Sequence, residues 1–264
     1  GNTVMLHFYT GVDTAGMLRA PFTPQTLFGT TAGGAYLPPC ISAFVGADIT
    51  AAILASGMLH TPQTLLVDLG TNGEMAYWDG ETLRVCATAC GPAFEGVGLR
   101  CGGAARAGGI SHVSEEQGTW QVQTIADQPA SFLCGSGAID LTAALCRRGV
   151  IDPNGYLENT FVLPGTPVCL TPGDVRNLQL AKAAIAAGIK TICPDPFSLR
   201  GLYISGCFGE HLELSGAVAL GLLPPLDGER VHVMGNGALR GAALLLREEN
   251  RRDCAALAAR AETV

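Results

Sequence analysis

An α/β fold, a mixed sheet flanked by helices, is predicted from three observations. Three short apolar runs come first, in hairpin order. Strand and helix patterns alternate after them. The composition also suits close packing: of 264 residues 48% are hydrophobic, 15% are charged and 35 are glycine, enough chain for one large or two small cores.

The elements are justified in chain order. Residues 1–60 are punctuated by Thr23-Pro24, Gly33-Gly34 and Pro38-Pro39, as in irregular segments that lean on another element. Beyond Pro39, the apolar residues Phe44, Val45, Ile49, Ala52 and Ile53 recur at helical spacing up to Gly57. Thr64 to Gly70 reads as a strand closed by glycine, and Met75 to Trp78 as its partner. Asp79-Gly80 turns into a third strand, Leu83 to Thr88. A helix from Ala138 to Arg148 is capped by Gly149. Thr171-Pro172-Gly173-Asp174 opens another, expected to stop at Gly188. Strands from Gly201 to Ser205 and Arg230 to Met234 follow, each ending in a glycine turn. A helix from Ala238 to about Glu249 closes the pattern.

Composition also excludes functions. A net charge of −7 without a Lys/Arg cluster beyond Arg251-Arg252 argues against nucleic acid. No apolar run reaches the roughly 18 residues of a membrane span, so a cytoplasmic chain is expected. Its start lacks a secretory signal and an initiator Met, so a start inside a longer protein is expected too. The ten cysteines form no CxxC pair, which leaves reduced thiols as the expectation. His7, His60, His112, His211 and His232 show no metal-ligand spacing.

The sharpest chemical signal is Asp68-Leu69-Gly70-Thr71-Asn72-Gly73-Glu74. A carboxylate ending a buried strand can hold Mg²⁺, while Gly, Thr and Asn offer amides and a hydroxyl to phosphate oxygens. An ordinary Asn-Gly hairpin is the competing reading, and seven residues leave both open. Gly135-Ser136-Gly137, Gly206 to Gly209 (with Phe208) and Gly235 to Gly237 would let a ligand approach helix N-termini. The last lacks the third glycine and the downstream acid of a dinucleotide fingerprint. Asp48 either complements its helix dipole or positions water or metal in a cleft. Glu95 is either a cleft acid or a solvated loop glutamate.

Eight segments occur in an order that resembles a known family. They are Gly1-Asn2-Thr3-Val4-Met5-Leu6-His7, Ala20 to Pro24, Pro38-Pro39 through Asp48, Asp68 to Glu74, Ala89-Cys90-Gly91-Pro92-Ala93-Phe94-Glu95-Gly96, Cys134 to Gly137, Leu178 to Ile185, and Gly206-Cys207-Phe208-Gly209. Together they resemble the C-terminal domain of the reductive activators of corrinoid proteins, over nearly the whole chain. The resemblance implies the actin-like ATPase fold, with two RNase H-like halves around a nucleotide. By it, residues 1–60 are a connecting segment and helix packed on the nucleotide cleft, and residues 61–264 are one nucleotide-binding subdomain. The Asp68 loop becomes the second phosphate loop, with Asp68 also a catalytic acid and the Mg²⁺ ligand. Asp48 becomes the catalytic acid of the connecting helix, and Glu95 joins these two as a catalytic candidate. Gly135, Ser136, Gly137, Gly206, Phe208 and Gly209 would line the adenosine pocket.

The implied cofactors are ATP and Mg²⁺, with a two-iron two-sulfur cluster only in an N-terminal domain absent from this chain. The implied activity is ATP-dependent return of Co(II) corrinoid to Co(I) on a corrinoid protein or corrinoid methyltransferase partner, by a homodimer. Two departures stand out: Gly206-Cys207 replaces the usual glycine pair, and only one D-L-G-T loop occurs where the superfamily uses two. The alternatives are a non-catalytic half-site or interaction module and a small-molecule kinase of the same fold. A dehydratase-activating ATPase would require grouped cysteines.

Overall fold

The computed structural model describes Tyr36 and residues 38–264. The features read at residues 1–35 lie outside the described residues.

The centre is a six-stranded mixed sheet built from β1 (Thr64–Leu69), β2 (Gly73–Trp78), β3 (Leu83–Thr88), β9 (Gly201–Ser205), β10 (Val231–Gly235) and β11 (Ala261–Thr263). Its order is β10-β9-β1-β2-β3-β11. The β1-β2-β3 meander is antiparallel, whereas β9 joins β1, β10 joins β9 and β11 joins β3 in parallel. The central strands are buried on both faces. Leu65, Val67 and Leu69 enter one apolar cluster and Leu66 the other, as the two-residue side-chain period requires.

One face is covered by α2 (Gly135–Arg147) and α3 (Pro172–Ile192). The other is covered by α1 (Ala47–Ser56), α6 (Gly237–Leu244) and α7 (Glu248–Arg260). α1 ends at Gly57, whose φ of +66° is the left-handed conformation expected of a helix-closing glycine. α6 crosses α1 so closely that a Cβ on Gly241 would stand 2.1 Å from the carbonyl oxygen of Ala51.

Between β3 and α3, on either side of α2, lie short strands that the periodicity reading did not assign. β4 (Gly109–Glu116) and β5 (Thr119–Thr124) form a hairpin that pairs with the short β6 (Phe132–Leu133). β7 (Phe161–Val162) and β8 (Cys169–Leu170) form a second ribbon. The remaining helices, α4 (Cys207–Glu210) and α5 (Leu214–Ala219), follow β9.

Four expectations are corrected. α2 starts at Gly135, not Ala138, because Gly135 and Gly137 allow the helix to abut backbone. A Cβ on either would stand 1.8 Å from the Phe94 carbonyl oxygen or 2.4 Å from that of Ile110. α3 runs through Gly188 to Ile192, since the glycine faces Met75, whose Cε would lie 2.6 Å from a Cβ there. Gly206 to Gly209 is largely helical, with only Gly206 preceding α4. The C-terminal helix is two helices, α6 and α7, broken at residues 245–247. The Thr171 cap is as expected: its hydroxyl accepts from the Asp174 N–H at 3.1 Å and Asp174 accepts from the Thr171 N–H at 2.8 Å.

Candidate functional site

The site is assembled at the end of β1. Asp68 lies opposite Glu74 of β2 and opposite Ser205 of β9, and residues directly opposite across paired strands project to the same face. That face is the one covered by α1. The Ser205 hydroxyl donates to the Asp68 carboxylate at 2.5 Å and accepts from the Gly237 N–H, the first residue of α6, at 3.2 Å. One hydroxyl therefore links the strand carboxylate to a helix N-terminus. Ser205 and Glu74 are buried.

Burial pushes the Glu74 carboxyl up to about 7, and the charge of Asp48 in the first turn of α1 adds to the shift. Burial also raises Asp68, opposed by the Ser205 hydrogen bond and reinforced by Asp48. The charges of Asp48 and Asp68 both act on Glu74. Among the described residues, no group of three or more His, Cys, Asp or Glu has the geometry of a metal cage. Such acids suit Mg²⁺, which keeps waters and takes one or two carboxylates together with substrate phosphates.

The loop from Gly70 to Gly73 forms the rim. The Gly70 N–H donates to the Asn72 carbonyl at 3.3 Å, and the buried Cys90 thiol lies 3.2 Å from the Gly70 carbonyl and 3.3 Å from that of Thr71. The Thr71 hydroxyl donates to Glu95 at 2.5 Å. Thr71, Asn72 and Glu95 are exposed, whereas Gly73 is buried against Ile185.

The remaining expected residues separate by role. Gly206 closes on β1: its φ is +97°, and a Cβ there would stand 2.6 Å from the Leu69 carbonyl oxygen, so it serves the approach of two strand ends. Phe208, half-buried, stacks on Phe94 at 4.9 Å between centroids. Gly209 is buried against Ile204, and Gly135 and Gly137 against backbone, so these three glycines have packing reasons sufficient in themselves. Ser136 donates to the Ser111 carbonyl at 2.8 Å and, with His211 beyond α4, lines a cavity of about 380 Å³. That cavity joins the neighbourhoods of the two glycine segments. Ser205 was missed as a site group, whereas Gly235 to Gly237 was read as a helix-opening segment; the available signal for Ser205 was a hydroxyl residue ending a strand just before a glycine turn.

Residues 62–264 match the family described as the C-terminal domain of RACo, the ASKHA domain. The chain belongs to that family. Residues 1–61 match the RACo middle region. In this RACo-type chain, sequence similarity extends to the corrinoid activation enzyme RamQ of Eubacterium limosum, 32% identical over 97% of the chain and 51% of that protein. It extends also to the [Co(II) methylated amine-specific corrinoid protein] reductase of Methanosarcina barkeri, 28% identical over 82% of the chain and 45% of that protein. A solved reductive activator for corrinoid, iron-sulfur protein superposes with a TM-score of 0.81 at 31% identity, over all of this chain and 49% of that one. The chain spans about half the length of these relatives. No helix among the described residues is long and apolar enough to cross a membrane.

Proposed function

We propose that this chain is the ATP-binding part of an ATP-dependent activator that returns the Co(II) corrinoid of a partner protein to Co(I). The observation that carries the nucleotide reading is the convergence of Asp68, Glu74 and Ser205 at one end of the sheet, beneath the N-termini of α1 and α6. In this reading residues 1–60 supply the connecting segment and residues 61–264 the nucleotide-binding subdomain. Asp68 would hold Mg²⁺, which would supply positive charge to set against the phosphates. The amides of Thr71 and Asn72 hold phosphate oxygens, and the Thr71 hydroxyl joins them when its proton turns from Glu95 to the phosphate. Glu95 orients Thr71, and Asp48 faces the phosphates from α1. Adenosine occupies the cavity lined by Ser136 and His211, close to Gly135, Gly137, Gly206 and Gly209.

The corrinoid reading rests on the family and on what the relatives are named for. In the whole protein the nucleotide domain works with an iron–sulfur domain and a corrinoid protein or methyltransferase, as a homodimer. Nucleotide binding then shifts a two-state equilibrium only by its differential affinity for the two states.

The test is thermal unfolding with and without Mg-ATP. At about a hundredfold excess over Kd, bound nucleotide stabilises the native state by roughly 2.7 kcal/mol. The expected rise in midpoint disappears in Asp68→Ala. A rise that survives this substitution would place the nucleotide elsewhere. For the whole protein, Co(I) formation on the partner should be faster with ATP and reductant than with reductant alone.

A further inference from the structure

The sulfur atoms of Cys101 and Cys169 stand 3.2 Å apart, although 68 positions separate them in sequence. All ten cysteines carry free thiols. Most of the others are placed to stay inert: Cys40, Cys86, Cys90, Cys134, Cys193 and Cys254 are buried. Cys146 and Cys207 are exposed. Cys101 and Cys169 alone combine partial exposure with a thiol neighbour in contact.

Their backbones are held from both sides by one carboxylate. Buried Asp174 accepts from the Arg100 N–H at 2.7 Å through Oδ1 and from the Thr171 N–H at 2.8 Å through Oδ2. The same loop is tied again by Asn177, whose Nδ2 donates to the Gly98 carbonyl at 2.9 Å. The Leu133 N–H donates to the Cys101 carbonyl at 2.7 Å. The approach of the two thiols is therefore built into the capping of α3. A disulfide has an S–S bond of about 2.0 Å, so the sulfurs need to close by roughly 1 Å.

We propose that Cys101 and Cys169 form a redox-modification site, a dithiol that low-molecular-weight disulfides convert to an intramolecular disulfide. One thiolate attacks a sulfur of the small disulfide and expels one small thiolate, giving a mixed disulfide. The second protein thiolate attacks the protein-side sulfur and expels the other. In balance, two protein thiols and one small disulfide give one protein disulfide and two small thiols; two electrons and two protons pass to the oxidant. The second step is intramolecular between pre-positioned groups, so it outruns capping by another oxidant molecule. The new bond fastens the loop of residues 96–103, just beyond Glu95, to the strand that leads into α3. Its formation does not depend on the nucleotide reading.

Burial and the neighbouring Cys101 raise the Cys169 thiol, so the reaction is best run mildly alkaline. The reduced chain is treated with glutathione disulfide under nitrogen, quenched with iodoacetamide and digested without reductant. Mass spectrometry should find the Cys101 peptide joined to the Cys169 peptide, lighter than the two thiol peptides together by two hydrogens, and separated by dithiothreitol. Cys101→Ser should keep glutathione on Cys169, and Cys169→Ser should keep it on Cys101. Glutathione retained on either residue of the unsubstituted chain would overturn the proposal. So would both residues found fully alkylated in a sample whose exposed Cys146 and Cys207 have reacted.

Discussion

At the scale of the residue, Glu74 is a group whose chemistry differs strongly from its free form. Its folded carboxyl titrates at about 7 instead of 4.5, chiefly through burial. A raised acid makes the folded state the better proton binder, so its contribution to stability is present below the unfolded value and is lost as pH rises from about 4.5 through about 7. At 1.36 kcal/mol per unit the loss is on the order of 3 kcal/mol. Glu74→Gln removes the titration. The variant should gain stability relative to the parent between pH 5 and pH 8 in urea unfolding, and added Mg-ATP should reduce that gain by neutralising the same cluster. Parallel stability curves for the two proteins across this range would show that Glu74 is not the titrating group. Asp68 shares the logic, with the Ser205 hydroxyl opposing its shift.

At the scale of the element, the junction of α1 and α6 depends on the absence of a side chain at Gly241. Backbone meets backbone there, so no rotamer change can make room for a Cβ 2.1 Å from the Ala51 carbonyl oxygen. Gly241→Ala should cost about 1–3 kcal/mol by overpacking and push apart the helices that carry Asp48 and the Gly237 N–H. Chemical denaturation reads the first effect and the Mg-ATP shift reads the second. A variant as stable as the parent would mean that the crossing adjusts freely. Gly188 illustrates the same physics from the other side. Glycine in a helix is read as a stop on propensity, yet α3 continues through it, where the absent side chain lets the helix settle onto the Met75 and Thr88 side chains of the sheet.

At the scale of the whole molecule, the proposed nucleotide site makes the Asp68 end of the sheet one wall of a cleft. Actin-like ATPases grip phosphates between two such walls, and preorganised electrostatics act only when both are in place. A longer chain with the second phosphate loop should therefore show a larger Mg-ATP midpoint shift than this one at equal nucleotide concentration. Equal shifts would mean that the Asp68 wall carries the binding by itself.

The parts legible in the sequence were those encoded by consecutive residues. The β1-β2-β3 meander followed from alternating apolar runs and from Asp79-Gly80, the α3 cap from Thr171 to Asp174, and the glycine-rich loop from the run of Asp68 to Glu74. The ordered motifs carried the family. Short strands such as β6, β7 and β8 were not legible, because two residues are too few for a period to show. Glycine roles were legible only as freedom from a side chain. Whether a glycine serves a close contact, as at Gly135, Gly137 and Gly209, or leaves room for a side chain, as at Gly70, where a Cβ would stand 3.5 Å from the Asn72 carbonyl oxygen, depends on which atoms stand opposite. The sequence by itself determined the strand that ends in Asp68 and the loop that follows it, since local stereochemistry and hydrophobic alternation act between neighbours in the chain. Only the tertiary structure decided that Ser205, 137 positions away, bonds to Asp68, that Glu95 meets Thr71 and that Cys101 meets Cys169, since those approaches are set by how helices and sheet pack.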